Sequence, residues 1–213
     1  MARYFFVFML CCVVPFLSCT KKTTIPENKS EKELSVTVSI VPQAYIVKRI
    51  AGEDVKVNVM VPSNSSPETY EPGPKKMVEL KDSAIYFSIG FPFENSLIEK
   101  VIKQFPSITI AKMHKNIPMR TFDGEESHHR DHDHDHGHEH NDHHYDPHLW
   151  MDPVLLVSLA QNTLTELLKV DNANRTKYIK NHLELKKELQ MLHDELMDIF
   201  KDSKGSKFIV YHP

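Results

Sequence analysis

Residues 34–59 read LSVTVSIVPQAYIVKRIAGEDVKVNV, and this stretch decides the fold. Val36, Val38 and Ile40 alternate with Ser and Thr, the period-two pattern of a strand. Pro42 then opens a helix through Ile50, because proline suits the first helical turn, where its missing N–H has no partner to lose. Gly52 closes that helix, and Val55, Val57 and Val59 alternate again as a second strand. A strand, a helix and a returning strand within about 26 residues make a βαβ unit, whose two strands run parallel.

Working outward from this unit, the alternation continues. Residues 61–74 carry prolines, a glycine and several serines, and read as a loop. A short helix is expected near Lys75–Lys81, a strand over Ala84–Ile89, a helix over Phe93–Lys103 and a strand over Ile108–Ala111. The implied class is α/β, a Rossmann-like (βα) lobe on a parallel sheet. One feature argues the other way: alternation as clean as that of the first two strands is more typical of antiparallel sheets with one wet face. Residues 112–148 read as a long irregular insertion. Asp152, a good N-cap, and Pro153, a good first residue, then start a helix reaching Val170. From Asp171 to about Lys201 there is no Pro or Gly, and Tyr178, Leu185, Leu189, Leu192, Leu196 and Ile199 form one apolar stripe. A helix of ~30 residues would be ~45 Å long, either a coiled-coil segment or a rigid spar between two lobes. Phe208–Tyr211 is an apolar strand, and such a strand needs partners for its backbone and cover for its side chains. The chain is therefore expected to be the front part of a longer protein.

The N-terminus reads as an export signal. Arg3 precedes about 14 mostly apolar residues from Tyr4 to Leu17, too few for the ~20 of a membrane span and suited to a secretory leader. Leu17-Ser18-Cys19 resembles a bacterial lipobox, with Phe16 where its usual Leu stands, so Cys19 is the expected lipidation site after a signal peptide over 1–18. Residues 19–33 are a polar tether. All three cysteines lie in the leader, so a metal bound by the rest of the chain must be held by nitrogen and oxygen.

The 213 residues carry a formal charge of −3, with no basic excess to suggest a nucleic-acid partner, and 14 histidines. Nine of these (His128, His129, His132, His134, His136, His138, His140, His143 and His144) fall within 128–144, interleaved with Asp and Glu, inside a loop over 125–145. Neutral imidazole ligates Zn, Cu and Ni, and carboxylates add charge. The segment reads as an auxiliary metal-collecting loop. Just after it, His148 sits between Asp146-Pro147 and the helix start, with Pro147 and Trp150 placed to fix its ring as a structural ligand requires. His212 ends the 208–211 strand, and the loop holding Glu68 and Glu71 follows the second strand. Both therefore lie at strand carboxyl ends, where open parallel sheets bind ligands. His114, His182 and His193 are expected on the surface.

Together, Ser39-Ile40-Val41-Pro42, Tyr70-Glu71-Pro72, the His-rich insertion, Asp146-Pro147-His148 with Trp150 and Asp152-Pro153, the long helix, and Val210-Tyr211-His212-Pro213 resemble the zinc- and manganese-binding lipoproteins of ABC importers. The resemblance covers about 34–213. It implies two lobes joined by one long helix: a first lobe over 34–170, the helix over 171–204, and at 205–213 the first strand of a second lobe largely missing here. It also implies a divalent metal held between lobes, with His148 and His212 as ligands. The family's first ligand is a His in Pro-His-x-Tyr-Glu-Pro, and this chain has Glu68 there, so either Glu68 ligates through oxygen or that place goes to water or a loop His. The fourth, a carboxylate, is expected beyond Pro213. The partners implied are a divalent metal ion (zinc favoured over manganese, because Mn prefers oxygen), an ABC permease, and a membrane reached through the lipid anchor, with the chain monomeric and facing the periplasm or cell surface. The alternative is a His-rich metal buffer or metal-dependent surface adhesin working through the loop alone. A zinc hydrolase is not expected, since neither His-Glu-x-x-His nor Gly-x-Ser-x-Gly is present.

Overall fold

A computed structural model of the chain describes residues 33–120 and 146–207. Four strands form one sheet: β1 (Leu34–Val38), β2 (Val55–Val59), β3 (Ile85–Ser88) and β4 (Thr109–Lys112). Their spatial order is β2-β1-β3-β4 and every pairing is parallel. Helix α1 (Val41–Ala51) links β1 to β2, α2 (Pro74–Lys81) carries the chain back across β1 to β3, and α3 (Pro92–Gln104) leads to β4. The crossovers reverse direction at β1, so with the usual right hand α1 covers one face and α2 and α3 the other. Helices α4 (Pro153–Val170) and α5 (Arg175–Ile199) pack against α1 and each other.

The parallel sheet explains the alternation that pointed to antiparallel pairing. In β1 the polar positions are as buried as the valines, with Ser35 and Thr37 at 7% and 2% exposure. Both faces are covered, as in parallel sheets generally, and the hydroxyls are matched inside: Thr37 Oγ1 lies 2.7 Å from Ser83 Oγ, and Asn58 Nδ2 donates to Ser35 Oγ at 3.1 Å. β2 is an edge strand, and Lys76 Nζ caps its Val59 carbonyl at 2.7 Å, a common protection for an unpaired edge. Gly52 ends α1 with φ +68°, a conformation that β-carbon sterics make costly for other residues.

Asp152 caps α4 as expected, its Oδ1 accepting from the Val154 and Leu155 N–H groups at 2.7 and 3.4 Å. The long helix starts later than its sequence pattern predicts, at Arg175 rather than Asp171, and spans 25 residues to Ile199. Asp171 is the reason: its carboxylate accepts from Asn174 N–H, Asn174 Nδ2 and the Tyr178 hydroxyl, stabilising a turn in place of a first helical turn. Asn181 Nδ2 to the Ile50 carbonyl (2.8 Å), Lys177 to Asp54 (2.6 Å) and Arg49 to Glu188 (2.8 Å) hold α5 to the α1 region. Tyr178, His182, Leu185 and Leu189 are buried there, each large apolar side chain contributing about 1.5–3 kcal/mol. Beyond Leu189 the predicted stripe loses most of its cover: Leu196 is half-buried, but Leu192 is 42% and Ile199 60% exposed. His182, expected on the surface, is 4% exposed, because it continues the face of Tyr178 and Leu185 at helical spacing. Among the described residues no helix is long and apolar enough to cross a membrane.

Candidate metal centre

The carboxyl ends of the strands converge on one edge of the lobe. β1 ends at Ser39-Ile40, β3 at Ile89-Gly90-Phe91, β4 at Met113-His114, and β2 runs into the 61–73 loop. The chain that leaves β4 is held by α4, where Asn162 Nδ2 donates to the Met113 and Lys115 carbonyls at 2.7 and 2.9 Å. It returns at Asp146, whose N–H donates to the Arg120 carbonyl at 2.7 Å. The insertion carrying the nine histidines thus departs and re-enters through one closed backbone pair, two residues from His148.

His148 is oriented by Asp146. Asp146 Oδ1 accepts from the His148 backbone N–H at 2.9 Å and lies 2.7 Å from the ring Nδ1. A carboxylate facing Nδ1 assigns the proton to that nitrogen and leaves the lone pair on Nε2, the arrangement that second-shell carboxylates impose on metal-ligating histidines. Burial pushes the Asp146 carboxyl up, but the two His148 hydrogen bonds and the Arg120 charge hold it below the ordinary carboxylate value. The Trp150 ring lies 5.0 Å from the His148 ring. Trp150 therefore backs the ring as its position suggested, whereas the polar grip comes from Asp146. The signal was present in the sequence, since Asp bonds the backbone two residues on in an Asx turn.

Glu68 occupies different ground. It is exposed in the loop after β2 and accepts a hydrogen bond from the Ser66 hydroxyl. With Tyr70, Glu71, Phe93 and Lys100 it lines a shallow groove of about 370 Å³. Glu68 and His148 belong to one edge through an aromatic row: Tyr70 meets Phe93 edge-on at 5.5 Å, Phe93 stacks on Phe91 at 6.2 Å, Phe91 lies 6.0 Å from Trp150, and Trp150 lies against His148. Among the described residues no three His, Cys, Asp or Glu side chains are gathered to hold an ion. Cys19, the histidines of 128–144 and His212 lie outside the described residues.

Beneath this edge runs a polar network that the sequence reading missed. Glu94, 2% exposed, accepts from the Ile89, Gly90 and Phe91 N–H groups at 2.6–3.1 Å and from the Ser39 hydroxyl, which also contacts the Tyr86 hydroxyl at 2.7 Å. Burial pushes the Glu94 carboxyl above its ordinary value against the pull of these donors. Gln43 Oε1 accepts from the Ser39 and Ile40 N–H groups, and its Nε2 donates to the Phe87 carbonyl and Met113 Sδ. The local signal was a Gln or Glu as the third residue of a helix, which reaches back to the cap N–H. His114, expected on the surface, is half-buried at the end of β4 near Gly90; burial and Lys112 depress its pKa against the Ser88 carbonyl.

A family model described as ZnuA, the periplasmic component A of the zinc-uptake complex, matches residues 36–213. The chain is 28% identical over 203 residues to the high-affinity zinc uptake system protein ZnuA of Bacillus subtilis (strain 168), covering 94% of this chain and 62% of the relative. To the manganese ABC transporter substrate-binding lipoprotein PsaA of Streptococcus pneumoniae it is 25% identical over 197 residues, covering 91% and 59%. Among solved structures, a zinc-bound ZnuA deletion mutant superposes with a TM-score of 0.72 at 32% identity, over 84% of this chain and 63% of that one. The chain thus spans somewhat under two thirds of the length of these relatives.

Proposed function

The chain belongs to the ZnuA family of periplasmic zinc-uptake components, whose members are binding proteins of importers rather than enzymes, and on that premise we propose that it captures a divalent metal for an ABC permease. The observation that carries the reading is the Asp146–His148 pair: a carboxylate 2.7 Å from Nδ1 turns an ordinary histidine into an oriented nitrogen ligand at the carboxyl edge of the sheet. Around it, Glu68 supplies an oxygen ligand and His212 a second imidazole, with a further carboxylate from a second lobe. Zinc is favoured over manganese, because two imidazoles and a histidine-rich collecting loop suit zinc, whereas Mn prefers oxygen. The loop histidines (His128 to His144) gather ions weakly and serve as an auxiliary collector. Export behind the leader and lipidation at Cys19 hold the monomeric protein to the membrane, facing the permease.

Calorimetric titration of the chain with Zn²⁺ and with Mn²⁺, with and without residues 128–144, tests this. One tight zinc ion that survives loop deletion is the expected result. Several weak ions that vanish with the loop would replace the importer reading with a metal buffer. Tight Mn²⁺ beside weak Zn²⁺ binding would reverse the metal preference.

A further inference from the structure

The buried carboxylate of Glu94 has no direct place in a metal site, yet it is heavily bonded at this edge. Three successive backbone N–H groups and one hydroxyl converge on it. That convergence requires an unusual backbone. Gly90 holds φ +109°, a conformation that other residues rarely adopt, with its N–H donating to Glu94 Oε2 2.6 Å away. The turn so clamped carries Phe91, which is buried and lies 6.0 Å from Trp150, which in turn lies 5.0 Å from His148. Through Ser39 the same carboxylate ties the end of β1 to the end of β3, neighbouring strands at the point where the crossovers change direction.

Building on the importer reading, we propose that Glu94 is a positioning residue for the metal centre, holding the 89–91 turn so that Phe91 seats Trp150 against the ring of His148. Asp146 sets which nitrogen of His148 faces the metal, and the Glu94 clamp sets where the ring stands. A fully satisfied buried polar network can do this because it rigidifies whatever backbone it binds. Partners of this kind that orient a ligand from behind are typically worth about 10–100-fold in metal affinity.

Trp150 is the only tryptophan of the chain, so its emission reports the seat directly, with or without metal. The test compares the full chain with Glu94→Gln, Phe91→Leu and the double variant, reading Trp150 emission in the metal-free state, thermal stability, and affinity for Zn²⁺ alone. Each single variant is expected to shift Trp150 emission and weaken Zn²⁺ binding about 10-fold or more, and the double variant to be no weaker than the worse single, because both break one chain of contacts. Unchanged emission in Glu94→Gln, or losses in affinity that multiply, would overturn the positioning role even if His148 proves essential for binding. Should Glu94→Gln fail to fold, Ser39→Ala removes one donor and is expected to shift the emission less, in the same direction; no shift would again overturn the proposal. If the unaltered chain binds no single tight zinc ion, the importer reading fails, while metal-free Trp150 emission still decides the role of Glu94.

Discussion

His148 and Glu68 sit at opposite ends of one aromatic row, and the fold treats them differently. His148 is 15% exposed on its side chain, its ring nitrogen is assigned by Asp146, and its ring lies 5.0 Å from that of Trp150 at a tilt of 56°. Glu68 is exposed on a loop rich in Pro and Ser and is bonded to Ser66, two residues away, within the same loop. One end is largely buried and gripped by a carboxylate, and the other stands exposed to water. An exposed long side chain gives up rotamer freedom when a ligand immobilises it, so the affinity of the first lobe should reside at the His148 end. The variants below test that asymmetry, beginning with the largest effect.

His148→Ala should abolish the tight ion, a loss beyond the 10–100-fold that supporting groups contribute, while leaving the fold intact, since the ring lies at the sheet edge rather than in the core. Zinc calorimetry beside a thermal melt checks both halves of this. A tight ion surviving the substitution would place the dominant ligand elsewhere. Asp146→Ala comes next. Without its carboxylate the His148 ring can exchange tautomers and turn, and zinc affinity is expected to fall about 10–100-fold. A fall as small as that for a Glu68 substitution would mean that the two ends are equally ordered and the comparison is wrong.

The lobe also contains a polar group that is buried without being gripped. His182 lies in the α5 contact with the rest of the lobe, and its Nε2 is without a hydrogen-bond partner among the described residues. Burial, with Lys186 nearby, lowers its pKa from the ordinary 6.5. A depressed folded-state pKa means that the unfolded chain binds the proton first. The stability this neutral ring contributes is therefore present above about 6.5 and is lost as pH falls from there toward the folded-state value. Melting temperature should decline on acidification through that window, with a slope of at most about 1.4 kcal/mol per pH unit for one proton, and His182→Leu should flatten it. An unchanged slope would assign the acid sensitivity to other groups.

Much of this was legible in the sequence, and what was not has physical causes. The βαβ unit, the Pro42 and Asp152-Pro153 helix starts and the strand-end position of the Glu68 loop follow from local pattern, and they hold in the structure. The alternating strand read as half-exposed because period two cannot distinguish water from a second packed layer, where Ser35 and Thr37 find buried partners. The burial of His182 follows from its place between Tyr178 and Leu185 on one face of α5, a spacing legible in the sequence, but a polar ring beside Asn181 was read as surface. The Glu94 clamp had a local signal in its third position of α3, but its tie to Ser39, 55 residues away along the chain, had none. The apolar stripe of α5 was read along its whole length, yet a stripe does not say where its cover ends, and here that is after Leu189.

Glu68→Gln is the smallest expected effect and the finest probe of the contrast. Gln keeps the shape and an oxygen donor but removes the charge, so what is lost is the attraction between a carboxylate and a divalent ion at an exposed position. Water screens charges there strongly, and at an effective dielectric near that of water such an attraction is of order 1–2 kcal/mol. Glu and Gln give up similar rotamer freedom when they are immobilised, so that cost cancels between the two proteins. Zinc affinity should therefore fall by about 5–30-fold, and the loss should shrink further at high salt. A fall rivalling that of Asp146→Ala would mean that the 61–73 loop closes over the ion and excludes water from Glu68, placing the oxygen ligand in the same protected setting as His148. Binding unaffected by Glu68→Gln at low salt would remove Glu68 from the ligand set and leave the Pro67–Pro72 turn as a wall of the groove rather than a donor.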